Sequence, residues 1–200
     1  MIDFSDDAAI MREAARRAGF ALTSVEPVTH EDGSHAFTRL QVDTDTNEGA
    51  IALLSELAQL YAQKPEVLRL AAYLAAYATN TRPDGYSREE AIACAIHAYV
   101  QRNVRFTMED DETFRSPVMT INCAEGDCDD HALTVASLAR AAGLTARLLP
   151  MRSGGDITHV VAQVEHDGAW HYAETTLPAR YDEHPLDAVR RLRLTRTDIG

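Results

Sequence analysis

Between two runs rich in β-branched and aromatic residues, ITHVVAQVEH and AWHYAETTL, stands the dipeptide Asp167-Gly168. A two-residue Asp-Gly link between such runs predicts a tight antiparallel hairpin, and a tight hairpin fixes its own register. His166 then faces Ala169, Glu165 faces Trp170, Gln163 faces Tyr172 and Val161 faces Glu174. Residues that face one another share a side of the sheet, as do residues two apart. His159, Val161, Gln163, Trp170, Tyr172 and Glu174 are therefore expected on one face, and Thr158, Val160, Ala162, Val164, His171 and Ala173 on the other. His159 and Glu174 become diagonal neighbours, at roughly 7–8 Å between backbones, within reach of their side chains.

A second constraint lies just upstream, in EGDCDDHALTVASLARAAGLTARLL, residues 125–149. Apolar residues recur at Ala132, Val135, Ala136, Leu138 and Ala139 with helical spacing. Gly143 stands where a left-handed cap is usual. Cys128 falls in the first helical turn, where free N–H groups and the helix dipole stabilise negative charge. Those groups favour a thiolate and offer donors to a developing oxyanion. Asp127, Asp129 and Asp130 favour the helix dipole but repel a thiolate. A charged His159 is what would outweigh them. The cysteine helix is expected to pack against the face that carries His159.

The rest of the chain reads as helix over 6–18, strands in FALTSVEPV and HAFTRLQV, and helices over 48–62 and 65–78. Residues 80–86 are a loop. Ser87 with Glu90 forms a capping box that opens a helix over 88–102. Residues 107–126 read as a long polar loop, 144–151 as a strand, and 169–177 as the second arm of the hairpin. The tail from Pro185 is basic and gives no clear pattern. We divide the chain into an N-terminal strand and helical region, 1–86, and a core, 87–200.

With 19 basic and 31 acidic residues the formal charge is −12. That excludes a phosphate-backbone partner or an anionic membrane surface as the natural expectation, so neither nucleic acid nor membrane is expected. The first twenty residues read as an amphipathic helix and not as a signal peptide, which suits a cytoplasmic protein. The three cysteines, Cys94, Cys123 and Cys128, imply no disulfide framework.

The run GDCDDHALTVASLARAAGLTAR, then THVVAQV, then GAWHYAETT resembles the transglutaminase-like (papain-like thiol) superfamily. Gly-x-Cys opens a helix, a histidine lies on the following strand, and an acid follows a tryptophan. AIHAYVQRNVRFTMEDD is similar to members encoded by phages and prophages. The resemblance is good over residues 90–177 and weaker over 36–80. It implies an α+β fold: a cysteine-bearing helix packed on a small antiparallel sheet, with additional N-terminal helices. It also implies cofactor-free acyl-transfer chemistry on a peptide or protein amide, with hydrolysis favoured over crosslinking. The catalytic set it points to is Cys128 as nucleophile, His159 as base and Glu174 as the orienting acid. Asn122 is the candidate second oxyanion donor, with Gln101 and Asn103 as rivals. Trp170 and Tyr172 are candidates for lining the substrate cleft. The sequence departs from the family pattern at Glu174, where aspartate is common. The longer side chain requires a different backbone placement.

Two other readings are compatible with the residues. Cys123, Cys128 and His131, with Asp129 or Asp130, have zinc-ligand chemistry, although C-x4-C-x2-H is an irregular spacing. A non-enzymatic assembly or interaction protein on the same fold is the other.

Overall fold

The structure is a computed structural model that describes residues 7–20, 22–29, 35–42, 47–108, 114–153 and 156–194. Ser5, which the sequence offers as a cap for the first helix, and the EDGS stretch, which it offers as a turn between the two N-terminal strands, lie outside them. In chain order the elements are α1 (Asp7–Ala18), β1 (Leu22–Thr29), β2 (His35–Val42), α2 (Asn47–Tyr61), α3 (Pro65–Thr81) and α4 (Arg88–Asn103). Then follow β3 (Arg105–Phe106), α5 (Pro117–Cys123), β4 (Glu125–Gly126), α6 (Cys128–Ala141), β5 (Thr145–Ser153), β6 (Asp156–His166), β7 (Ala169–Ala173) and α7 (Pro185–Leu192).

Helix α6 is the centre of the molecule. Every residue from Asp129 to Ala139 is buried, as expected of a helix enclosed on all sides. Asp127 caps its start by accepting a hydrogen bond from the Asp130 N–H. Gly143 at φ 85° turns the chain out of its end. Helices α1 to α4 contribute Met11, Leu53, Leu57, Val67, Leu74, Ile92 and Ile96 to the same hydrophobic cluster as Leu133, Val135 and Leu138. The α+β architecture, with a cysteine-bearing helix on a small antiparallel sheet and extra N-terminal helices, is as expected.

The main sheet runs β5-β6-β7, antiparallel throughout. The Asp167-Gly168 turn has positive φ at both residues, 51° and 77°, the mark of a type I′ hairpin. It sets the expected register: His166 pairs with Ala169, Glu165 with Trp170 and Gln163 with Tyr172. The ladder stops one residue short of Glu174, at Ala162–Ala173, so β7 ends well before Leu177.

The packing face differs from expectation. Ala146, Leu148, Val160, Ala162, Val164 and Ala173 join the cluster that holds α6. The cysteine helix therefore lies on the Val160 face and not on the face of His159. Small and branched side chains let a helix approach closely, whereas the other face carries Gln163, Trp170 and Tyr172. Strand β6 carries an irregularity beside His159: Met151 pairs with His159, but Arg152 pairs with Ile157. The extra residue, Thr158, bends the strand as bulges do.

Residues 107–126 are not a loop throughout. Ser116 accepts from the Met119 N–H, Pro117 takes the first helical position, and α5 follows. This is a capped Ser-Pro start inside a polar stretch. Strands β3 and β4 then form a two-residue parallel pair. The basic tail also holds a helix, α7, capped by His184 with Pro185 at its first position. Among the described residues no helix is long and apolar enough to cross a membrane.

Candidate active site

Cys128 is the first residue of α6 and is partly exposed. Its N–H is one of those a helix leaves without an internal acceptor. The approach to it is shaped by Gly126. A Cβ there would lie 2.7 Å from the Asp130 Cβ and 3.2 Å from the Thr120 Cγ2, so only glycine lets β4 run directly under the first turn of α6. This is the physical content of Gly-x-Cys in this chain. Gly126→Ala is expected to cost about 1–3 kcal/mol of stability through overpacking, measured by urea unfolding. An unchanged midpoint would mean that the first turn of α6 shifts freely.

His159 hydrogen-bonds Glu174 and lies within electrostatic reach of the Cys128 side chain. Its Nε2 lies 2.6 Å from Glu174 Oε2. Burial disfavours its charge. The interaction with Cys128 and the hydrogen bond and charge of Glu174 outweigh that and push the imidazole up to about 10. Its side chain keeps 16% exposure, so solvent reaches it.

Glu174 is 1% exposed. Burial alone would raise its carboxyl, but hydrogen bonds from His159 and Thr176 hold it below the usual range. Oε2 faces His159, while Oε1 accepts from both the N–H and the hydroxyl of Thr176, each at 2.7 Å. The structure thus joins His159 to Glu174 and sets Cys128 within electrostatic reach of them.

The acids beside the thiol are not three equivalent negative charges. Asp129 is held well above the usual carboxylate range by burial, then by its hydrogen bond to Asp127 and by neighbouring charge. Asp130 accepts from the Arg115 N–H at 2.7 Å. His131, one turn behind Cys128, is pushed down to about 4, chiefly by burial. Its Nδ1 lies 3.0 Å from Thr175 Oγ1, which ties α6 to the residue after Glu174.

Asn122 sits exposed in the last turn of α5. The Gln101 amide is spent on the carbonyls of Leu177 and Ala179, and that of Asn103 on the carbonyl of Tyr99. Trp170 is half-buried under the Arg147 guanidinium, 4.1 Å from the ring centroid. Tyr172 is half-buried, edge-on to His184 at 4.8 Å. The zinc arrangement is not formed. Among the described residues, the one trio of His, Cys, Asp or Glu with ligand atoms within 4.8 Å of one another is Asp127, Asp129 and Asp130. Cys123 and His131 are not in it. Sequence reasoning missed His97 and the anchoring role of Gln101. Both sit one turn apart in the HAYVQ stretch, and nothing local marks a contact 77 residues away.

A sequence profile of the Transglutaminase-like superfamily matches residues 72–175, just over half of the chain. The chain belongs to this superfamily. Among solved structures it is similar to a candidate protease from Parabacteroides distasonis, at 16% identity and TM-score 0.49, covering 76% of this chain and 30% of that one. It is also similar to a candidate cysteine protease from Cytophaga hutchinsonii, at 15% identity and TM-score 0.42, covering 78% and 64%. The chain therefore spans less than two thirds of the length of either. No curated protein matches it.

Proposed function

We propose that the chain is a thiol acyl-transfer enzyme acting on peptide or protein amides, with water as the favoured acceptor. The observation that carries this reading is the His159 imidazole hydrogen-bonded to a buried carboxylate, within electrostatic reach of a partly exposed cysteine at a helix start. His159 takes the thiol proton, and the thiolate attacks the amide carbonyl carbon. The oxyanion is met by the Cys128 N–H, with Asn122 as the candidate second donor. Collapse breaks the C–N bond, His159 protonates the leaving amine, and a thioester remains. Water then attacks the thioester, His159 takes its proton, and the acid leaves as the thiol is restored. Glu174 holds the ring orientation throughout and offsets the imidazolium charge. Trp170 and Tyr172 are the candidates for lining the substrate cleft in this reading.

Near neutral pH, iodoacetamide is expected to label Cys128 fastest of the three cysteines, because an imidazolium stabilises a thiolate. Cys94 should be slow, since burial pushes its thiol up to about 11. Labelling of Cys128, followed by peptide mass spectrometry, should slow in His159→Ala. Equal rates at Cys94, Cys123 and Cys128 in the folded protein would sink the enzyme reading and leave the interaction protein.

A further inference from the structure

The β7 ladder ends at Ala173, yet the chain beyond it stays inside. Glu174, Thr175, Leu177 and Ala179 are all at most 7% exposed. Buried carbonyls that have left a sheet need other donors. Three of them find donors on α4. His97 Nε2 lies 2.7 Å from the Glu174 carbonyl oxygen. The Gln101 amide donates to Leu177 O at 2.7 Å and Ala179 O at 2.8 Å, and lies 3.4 Å from Glu174 O. His97 and Gln101 are four residues apart, so one helix face presents both.

A carbonyl only accepts, so Nε2 is the protonated nitrogen of His97. Burial holds this ring below its ordinary value, in keeping with a neutral donor. The ring is packed edge-on against Tyr181 at 5.8 Å. The Tyr181 hydroxyl meets His166 Nε2 at 3.0 Å, and His166 is stacked on His171 at 3.8 Å. The donor is thus fixed by an aromatic stack on one side and by the core of α4, Ile92, Ile96 and Val100, on the other.

We propose that His97 and Gln101 are positioning residues for the acid of the site: they set where the Glu174 backbone stands, and so whether its carboxylate meets His159. This rests on the reading of Cys128, His159 and Glu174 as a catalytic set. A glutamate reaches one methylene further than the aspartate common in the family, so its backbone must stand further back. The two α4 side chains are what hold it there, and a helix packed in the core is a rigid support for that purpose.

The test follows the His159 imidazole by NMR across pH, together with Cys128 alkylation, in wild type, Glu174→Gln, His97→Asn, His97→Gln and the double variant His97→Asn/Glu174→Gln. An asparagine amide falls short of the Nε2 position, whereas a glutamine amide reaches it. His97→Asn is expected to lower the His159 midpoint by about one pH unit, the scale of a weakened charge partner, and to slow alkylation. His97→Gln should restore both. His97→Asn should add nothing to Glu174→Gln, because residues acting through one another are not additive. If His97→Asn lowers the melting temperature but leaves the His159 midpoint in place, or its shift adds fully in the double variant, the inference is overturned while the catalytic reading stands. If wild-type His159 titrates near its ordinary value and Glu174→Gln matches it, the catalytic reading fails first. Should His97→Asn not fold, Gln101→Met keeps the side-chain length without donors, and its His159 midpoint decides the same question.

Discussion

Glu174→Gln is expected to lower turnover of a peptide-amide substrate by about 10²-fold or more, on the scale of other triads that lose their acid. The side chain keeps its shape but loses its charge and one of its two acceptor oxygens. Two carboxylate oxygens now receive three hydrogen bonds, one from His159 and two from Thr176. A glutamine has one oxygen. Turned toward His159, it sets its NH2 against the Thr176 donors. Turned toward Thr176, it sets the NH2 against the imidazole and favours the wrong tautomer. Glu174→Asp is the sharper comparison. With the backbone held back by α4, the shorter side chain falls about one methylene short, and activity should drop. An aspartate variant as active as wild type would mean that the glutamate is merely tolerated. If both variants behave like wild type, Glu174 is not part of the machinery.

Lys64→Met is expected to be the most damaging change far from the site, costing about 3–5 kcal/mol. Lys64 stands just before α3, and its Nζ lies 3.1 Å from Asp7 Oδ1 at the start of α1. Their side chains are 9% and 1% exposed. Removing the lysine leaves a carboxylate enclosed beside the buried Tyr61 without its cation. The pair itself need not be worth much, because two ions lost their water to form it. The double variant Asp7→Leu/Lys64→Met should therefore regain most of the loss. Urea unfolding of both single variants and the double closes the cycle. A cost under about 1 kcal/mol for Lys64→Met would mean that Asp7 is compensated elsewhere.

What was legible in the sequence was local. Asp167-Gly168 fixed three cross-strand pairs because a two-residue turn leaves one register. Ser87 and Gly143 marked helix ends because each satisfies a particular backbone requirement. The meeting of His159 and Glu174 was legible because the hairpin set them side by side, whereas Cys128 was marked by its helix start and the family resemblance. The face on which α6 packs was not legible, since both faces of β6 carry apolar residues. Nor were the two-residue strands β3 and β4, too short to show a period, or α7, whose arginines masked a capped start. Lys64 with Asp7, and His97 with the Glu174 carbonyl, join residues 57 and 77 positions apart. No local pattern encodes such a meeting.

The type I′ turn has a consequence for the order in which this protein acquires reactivity. His159 and Glu174 are 15 residues apart and are joined through one tight hairpin. Hairpins of this kind close in roughly 1–10 μs, and the short connection costs little loop entropy. The hairpin therefore brings the two segments near one another early in folding, while the carboxylate is set against the imidazole only once α4 is in place. Cys128 belongs to α6, which is complete only when helices from the whole first half of the chain have enclosed it. A newly made or partly unfolded chain can hold the base without holding the nucleophile beside it. In the proposed reaction the thiol is then coupled to its base only in the finished fold, which limits indiscriminate acylation while the chain is still assembling.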